Sequence, residues 1–111
     1  MQKESTAVLL RIFVGESDKY EGKNLYSFLV KYLRENHYSG VTVLRGLTGF
    51  GKASKIRSSD LLAISSDLPI VIEIVDTEEK IDLLKEFFDT PGLMESSLIT
   101  EEKVKIIKYG K

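Results

Sequence analysis

Cysteine and tryptophan are absent from the 111 residues, and there is a single histidine, His37. Without thiols there are no disulfides and no thiolate metal centre, and one imidazole cannot make a cluster of nitrogen ligands within a subunit. Zinc and redox chemistry therefore have little material. An excess of charge of one sign is missing too. The 16 basic residues stand against 17 acidic ones, so no general nucleic-acid or anionic-membrane surface is expected, and any anion site must be local. No apolar run approaches the roughly 20 residues that span a bilayer. The polar start, Met1–Thr6, lacks the positive flank and apolar stretch of a signal peptide. A cytoplasmic protein without membrane insertion is expected.

What is present suits a single domain over residues 1–111, since 42% hydrophobic content at this length can bury a core without staples. Ala7–Val14 is β-branched and aliphatic, reading as a buried strand that ends at Gly15. Gly15 to Gly22 reads as a loop. Leu25, Phe28, Leu29, Tyr32 and Leu33 then recur at the spacing of an amphipathic helix that ends near Asn36. A second strand runs from Val41 to about Gly46, and the stretch from Leu47 to Asp67 reads as a long exposed loop, with a short strand or turn around Leu61, Leu62 and Ile64. Leu68–Val75 is the strongest strand. Asp76 with Glu79 forms a capping box for a helix carrying Ile81, Leu84, Phe87 and Phe88, stopped at Thr90 by Pro91 and Gly92. A last strand spans Leu98 to Tyr109, with an interruption suggested near Glu101 and Glu102.

The order is strand, helix, strand, long loop, strand, helix, strand. It predicts an α+β, ferredoxin-like βαββαβ fold: a four-stranded antiparallel sheet with two helices on one face. The other face then needs a cover. If Val8, Leu10, Ile12 and Val14 face the helices, Leu9, Arg11 and Phe13 face away, as do Val71, Glu73 and Val75 on the third strand. This second face is apolar apart from Arg11 and Glu73, which are expected to pair. An apolar patch of that kind predicts a homo-oligomer.

The run Arg45-Gly46-Leu47-Thr48-Gly49-Phe50-Gly51-Lys52, with Lys55 and Arg57 close behind, puts glycine next to positive charge. Glycines let backbone N–H groups turn toward an anion and lysine or arginine supplies charge, so the run suits phosphate. The plain alternative is a hairpin whose glycines shape turns. Gly46 to Lys52 fits the opening of a P-loop, but Ala53 stands where a magnesium-binding hydroxyl belongs and no helical stripe follows. An NTPase is ruled out on that ground. His37 reads as a helix-end residue, the serines have no base nearby in sequence, and no enzyme is expected. RNA recognition shares the topology, yet the basic, glycine and aromatic signature of its central strands is missing.

Taken together, these features resemble the PII signal-transduction superfamily, and most closely its PII-like branch. Val43-Leu44-Arg45-Gly46 leading into Gly49-Phe50-Gly51 is similar to the entry of the PII T-loop. Leu68-Pro69 leading into Ile72-Glu73-Ile74-Val75-Asp76 completes the likeness at the right spacing. The resemblance implies a homotrimer that binds an adenine nucleotide as a regulatory ligand in clefts between subunits, needs no other cofactor, and signals through its long loop to an unknown target protein. It places Gly49, Phe50 and Gly51 in the cleft and Glu73, Ile74 and Val75 near the base. Lys108 takes the place of a phosphate-contacting arginine, beside the phosphate candidates Arg45, Gly46, Lys52 and Arg57 of the loop. The family's second glycine-rich loop carries lysine, whereas Asp89–Met94 here carries none, which implies AMP or ADP in preference to ATP. The loop has no tyrosine, so tyrosine uridylylation is not expected there. The alternative is a trimer similar to the CutA-type relatives, with a metal-tolerance or other non-nucleotide role.

Overall fold

A computed structural model describes residues 5–49, 57–58 and 67–110. Apolar side chains on alternate positions make β1 (Ser5–Gly15), whose residues Val8, Leu10, Ile12 and Val14 are all buried. Two short strands follow, β2 (Lys19–Tyr20) and β3 (Lys23–Asn24). They form a hairpin whose central residues, Glu21 and Gly22, both have positive φ (49° and 78°), the backbone that suits the twist of a two-residue turn. This hairpin occupies part of the stretch read as loop from sequence. The cap of α1 (Leu25–Glu35) is Asn24, whose side chain accepts Ser27 N–H at 3.1 Å. Leu25, Leu29 and Leu33 form its buried stripe. The helix ends as expected, with His37 in the left-handed region at φ 61°.

Next come β4 (Val41–Arg45), β5 (Thr48–Gly49), β6 (Arg57–Ser58) and β7 (Pro69–Asp76). In β7 burial alternates strictly, with Ile70, Ile72 and Ile74 facing the core. The helix α2 (Glu78–Phe88) buries Ile81, Leu84 and Phe88, while Phe87 is half-buried and stacks on Tyr32 at 3.8 Å between ring centroids. Its cap corrects the sequence expectation. Thr77 accepts Lys80 N–H at 3.2 Å, because Asp76 still belongs to β7 and its carboxylate is engaged elsewhere. The last strand, β8 (Leu98–Ile106), is continuous through Glu101 and Glu102 and stops three residues before Tyr109.

The main sheet has the order β4-β7-β1-β8, antiparallel throughout, and both helices pack on one face. That is the ferredoxin-like arrangement read from the sequence. The core lies between the helices and the sheet, where Leu10, Ile12, Ile72, Ile74, Ile81 and Leu84 are fully buried. The opposite face carries Leu9, Phe13, Val71 and Val75, extended by Leu44 from β4 and Leu98 from β8. Leu44 and Leu98 are 48% and 59% exposed, so the chain alone leaves this apolar surface uncovered.

Candidate functional site

Antiparallel register separates the site candidates into two groups. Arg45 lies opposite Ile70 and Gly15 opposite Pro69 at one end of the sheet, while Val41 lies opposite Ile74 and Val8 opposite Asp76 at the other. From Ile70 to Val75 is five residues, roughly 17 Å of strand at about 3.3 Å each. Arg45 and Gly46 therefore do not share a site with Glu73, Val75 and Lys108 within one chain.

At the far end, past β8, the chain crosses the end of the sheet. The Tyr109 hydroxyl donates to the Ser39 carbonyl at 2.9 Å, joining the segment after one edge strand to the segment before the other. Beneath this strap lies a cavity of about 640 Å³, within the range of small-molecule sites. Ala7 and Val75 contribute apolar surface, Glu73 and Asp76 are its carboxylates, and Lys108 is its cation among the described residues. The Asp76 carboxylate accepts Ser39 N–H at 2.8 Å and Thr77 N–H at 2.7 Å, which satisfies an acid that is 94% buried by holding two walls of the cavity together. Glu73 accepts Arg11 Nε–H at 2.9 Å, and Arg11 also donates to Glu102 at 2.8 Å. The bond to Glu73, then that to Glu102, raises the Arg11 pKa above its ordinary value. The expected Arg11–Glu73 pair is thus present, as part of a triad.

Ile74 requires a correction. Its side chain has no exposed surface and faces the helices, because neighbours on a strand point to opposite faces, so it cannot line the cavity with Glu73 and Val75. Sequence reasoning also missed Ser39, Asp76 and Tyr109. In the sequence Asp76 reads as a helix cap, and nothing local marks a tyrosine that reaches a carbonyl 70 positions away.

The near end holds the entrance and exit of the long loop. Gly46 N–H donates to the Pro69 carbonyl at 2.7 Å. A Cβ on Gly46 would stand 2.9 Å from Pro69 Cγ, so the close approach of these two segments requires glycine. Arg45 is ion-paired with Glu16, and the second Glu16 oxygen accepts Leu68 N–H at 3.2 Å. The Glu16 carboxyl is held below its ordinary pKa, chiefly by the Arg45 hydrogen bond, against the opposing effect of burial. Further along, β5 pairs with β6 and sets Gly49 opposite Arg57. Phe50, Gly51 and Lys52, and the turn expected around residues 61–64, lie outside the described residues.

Among the described residues there is no cluster of three or more potential metal ligands, and no helix is long and apolar enough to cross a membrane.

This arrangement has relatives. A UPF0166 protein of Aquifex aeolicus (strain VF5) is 41% identical over 99 residues, covering 89% of this chain and 91% of that protein. The UPF0166 protein MJ1524 of Methanocaldococcus jannaschii is 38% identical over 76 residues, 68% of this chain and 69% of its own. Among solved structures, CPII, a nitrogen regulatory PII-like protein from Thiomonas intermedia K12 bound to ADP, AMP and bicarbonate, superposes with a TM-score of 0.72. The identity is 20%, over 96% of this chain and 92% of that one. CPII bound to ADP and bicarbonate gives a TM-score of 0.71 at 20% identity, over 96% and 93% of the two chains. The fold is thus that of a PII-like protein. Residues 7–106 match the DUF190 family, described as an uncharacterized ACR, and the chain belongs to that family.

Proposed function

We propose that the chain is a cytoplasmic PII-like regulatory protein. It assembles as a homotrimer through its open sheet face, binds an adenine nucleotide in the clefts between subunits, and signals to a partner protein through the loop at 47–67. Its action is binding rather than turnover. The observation that carries this reading is the split site. The glycine-bearing loop base and the cavity under the Tyr109 strap sit at opposite ends of one sheet, so a neighbour's loop base must meet this chain's cavity for the two to act together. The uncovered apolar face supplies a surface for that assembly, and the similar fold of CPII holds ADP and AMP.

The cavity suits a nucleoside end, with carboxylates and hydroxyls for donors on a base or ribose and Lys108 as its cation. At the loop base Arg45 is already matched by Glu16. With cationic contacts this sparse, each added phosphate gains little, and AMP or ADP is favoured over ATP.

Isothermal titration of AMP, ADP and ATP into the protein tests the reading, with the Gly49→Ala, Gly51→Ala double variant as control. Binding of AMP or ADP that Lys108→Ala weakens about tenfold, one lost charged contact, is the expected result. Absence of heat with every nucleotide would overturn it, and ATP binding far more tightly than ADP would overturn the preference.

A further inference from the structure

The outer surface of the two helices carries opposite charges. Along α1 stand the exposed cations Lys23, Lys31 and Arg34 against one acid, Glu35, and none of the three cations forms an ion pair among the described residues. Along α2 the balance is reversed. Glu78, Glu79 and Glu86 are exposed and likewise form no ion pair among the described residues, while both lysines of α2 are engaged within the subunit. Lys80 Nζ donates to the Asn36 carbonyl at 2.6 Å and lies over the Tyr38 ring, and Lys85 pairs with Glu101 at 2.9 Å and Asp82 at 3.6 Å. Lys23 stands beside the start of α1 and Glu86 in the last turn of α2, each at the end of the helix dipole that disfavours its charge. The helices themselves therefore do not account for these charges. Between them runs an apolar seam, in which Phe28 and Tyr32 meet Phe87 at 6.4 and 3.8 Å between ring centroids. On the α1 side the seam opens into a groove of about 370 Å³, walled by Phe28 and Tyr32 and rimmed by Lys23, Lys31 and Glu35. On the α2 side, one turn before Phe87, stands Leu83, 59% exposed and the one large apolar residue so exposed on either helix among the described residues. Helical spacing sets Glu79 and Glu86 beside it.

We infer that this helical face binds a second copy of the chain about a two-fold axis, with each copy's Leu83 seated in the other's groove and each acidic α2 lying over the other's basic α1. A two-fold contact needs a patch that complements itself, because a residue that meets a second residue on the partner is met by it in turn. A basic-rimmed aromatic groove beside an acid-flanked apolar knob meets that need. Glu79 and Glu86 then face Lys23, Lys31 and Arg34 twice over, and Leu83 leaves water. The charges lie at the rim of the contact, where salt screens them, so they set orientation and salt dependence while the buried leucine adds affinity. This face lies across the sheet from Phe13, Leu44 and Val71. It stays open in a subunit already assembled through the sheet face, and it does not depend on that assembly.

Sedimentation velocity of the full chain over a concentration series, at about 50 mM and about 500 mM sodium chloride, reads this step apart from any other. The sheet face sets the mass at high salt, and the mass at low salt is expected to be at least twice that. Leu83→Lys should weaken the low-salt step about tenfold or more, since an apolar anchor is lost and a cation enters a basic-rimmed groove. The Lys23→Glu, Lys31→Glu double variant should abolish the step. Adding Glu79→Lys and Glu86→Lys to it should restore the step, because the charges are then exchanged across the contact. All of these side chains are exposed, and recovery by the quadruple variant separates a lost contact from a lost fold. Equal masses at the two salt concentrations up to about 1 mM chain overturn the inference, as does a low-salt step that Leu83→Lys leaves unchanged or that the quadruple variant fails to restore. Benzoate, used as a small aromatic anion, also overturns it if it shifts the NMR signals of Phe28 and Tyr32 while the mass never rises, since the groove then takes a small acid.

Discussion

Arg11 and Glu73 are register partners on β1 and β7, ion-paired at 2.9 Å in the middle of a sheet face that is otherwise largely apolar. Both side chains are about one third exposed in the single chain. At that exposure the pair does little for the fold of one subunit. In the proposed assembly, where neighbouring copies cover it, it becomes a desolvated pair whose single members cannot be removed safely.

Glu73→Ala is therefore expected to leave the subunit folded but to weaken assembly by about tenfold or more, because Arg11 is then buried against neighbours with one fewer carboxylate. The Arg11→Leu, Glu73→Leu, Glu102→Leu triple variant, which removes the whole triad, should assemble well, as apolar side chains of similar volume need no ionic partner. Analytical ultracentrifugation over a concentration series measures both. A single variant that assembles like the parent would show that this face is not the interface.

Acid should loosen the loop end before it loosens the core. The folded Glu16 pKa is depressed, so its contribution to stability is present above the ordinary value of 4.5 and is lost as the pH falls through the lower folded value. Arg45 and Leu68 N–H hold the charged form, and Asp67 opposes it. Urea midpoints measured from pH 6 down to pH 3 should fall for the parent, and Glu16→Gln should flatten the acid limb of that curve.

Gly46→Ala should cost about 1–3 kcal/mol in urea denaturation, the usual range for forcing extra volume into a tight contact. The cause is the 2.9 Å approach of the new Cβ to Pro69 Cγ. Adding Pro69→Ala removes the ring and should recover part of the loss. A Gly46→Ala protein as stable as the parent would contradict this packing.

Thr77→Ala should cost about 1 kcal/mol by removing the cap of α2, and Thr77→Ser should cost far less. Asp76→Asn is expected to act differently, by weakening the links to Ser39 and Thr77 at the cavity wall. The melting temperatures of the three variants separate cap from wall.

Periodicity carried most of the fold. The alternation in β1 and β7 and the leucine and isoleucine stripes of the helices reflect burial, and burial is what a hydrophobic pattern records. The β2–β3 hairpin left no such mark, because its four residues are polar or half-exposed and its turn uses Glu21, an unusual residue at positive φ. The cap of α2 was misplaced by one position, since Asp76 and Thr77 are both good caps and only the end of β7 decides between them. In the candidate site, the glycine at Gly46 marks a close approach of two segments, and strand parity sets Glu73 and Val75 on one face, where both line the cavity. Parity applied one residue further would have removed Ile74. Glu16 and Tyr109 were invisible because their partners, Arg45 and Ser39, lie 29 and 70 positions away, and no local pattern encodes such pairs.

The strap that ties Tyr109 to Ser39 also gives the protein an optical handle. With tryptophan absent, ultraviolet emission comes from tyrosine. Tyr32 is stacked on Phe87, and Tyr38 sits beneath the Lys80 ammonium, whereas Tyr109 lines the cavity beneath the strap. A change in emission when that cavity fills can be assigned by a Tyr109→Phe variant, so occupancy can be followed in solution without any label.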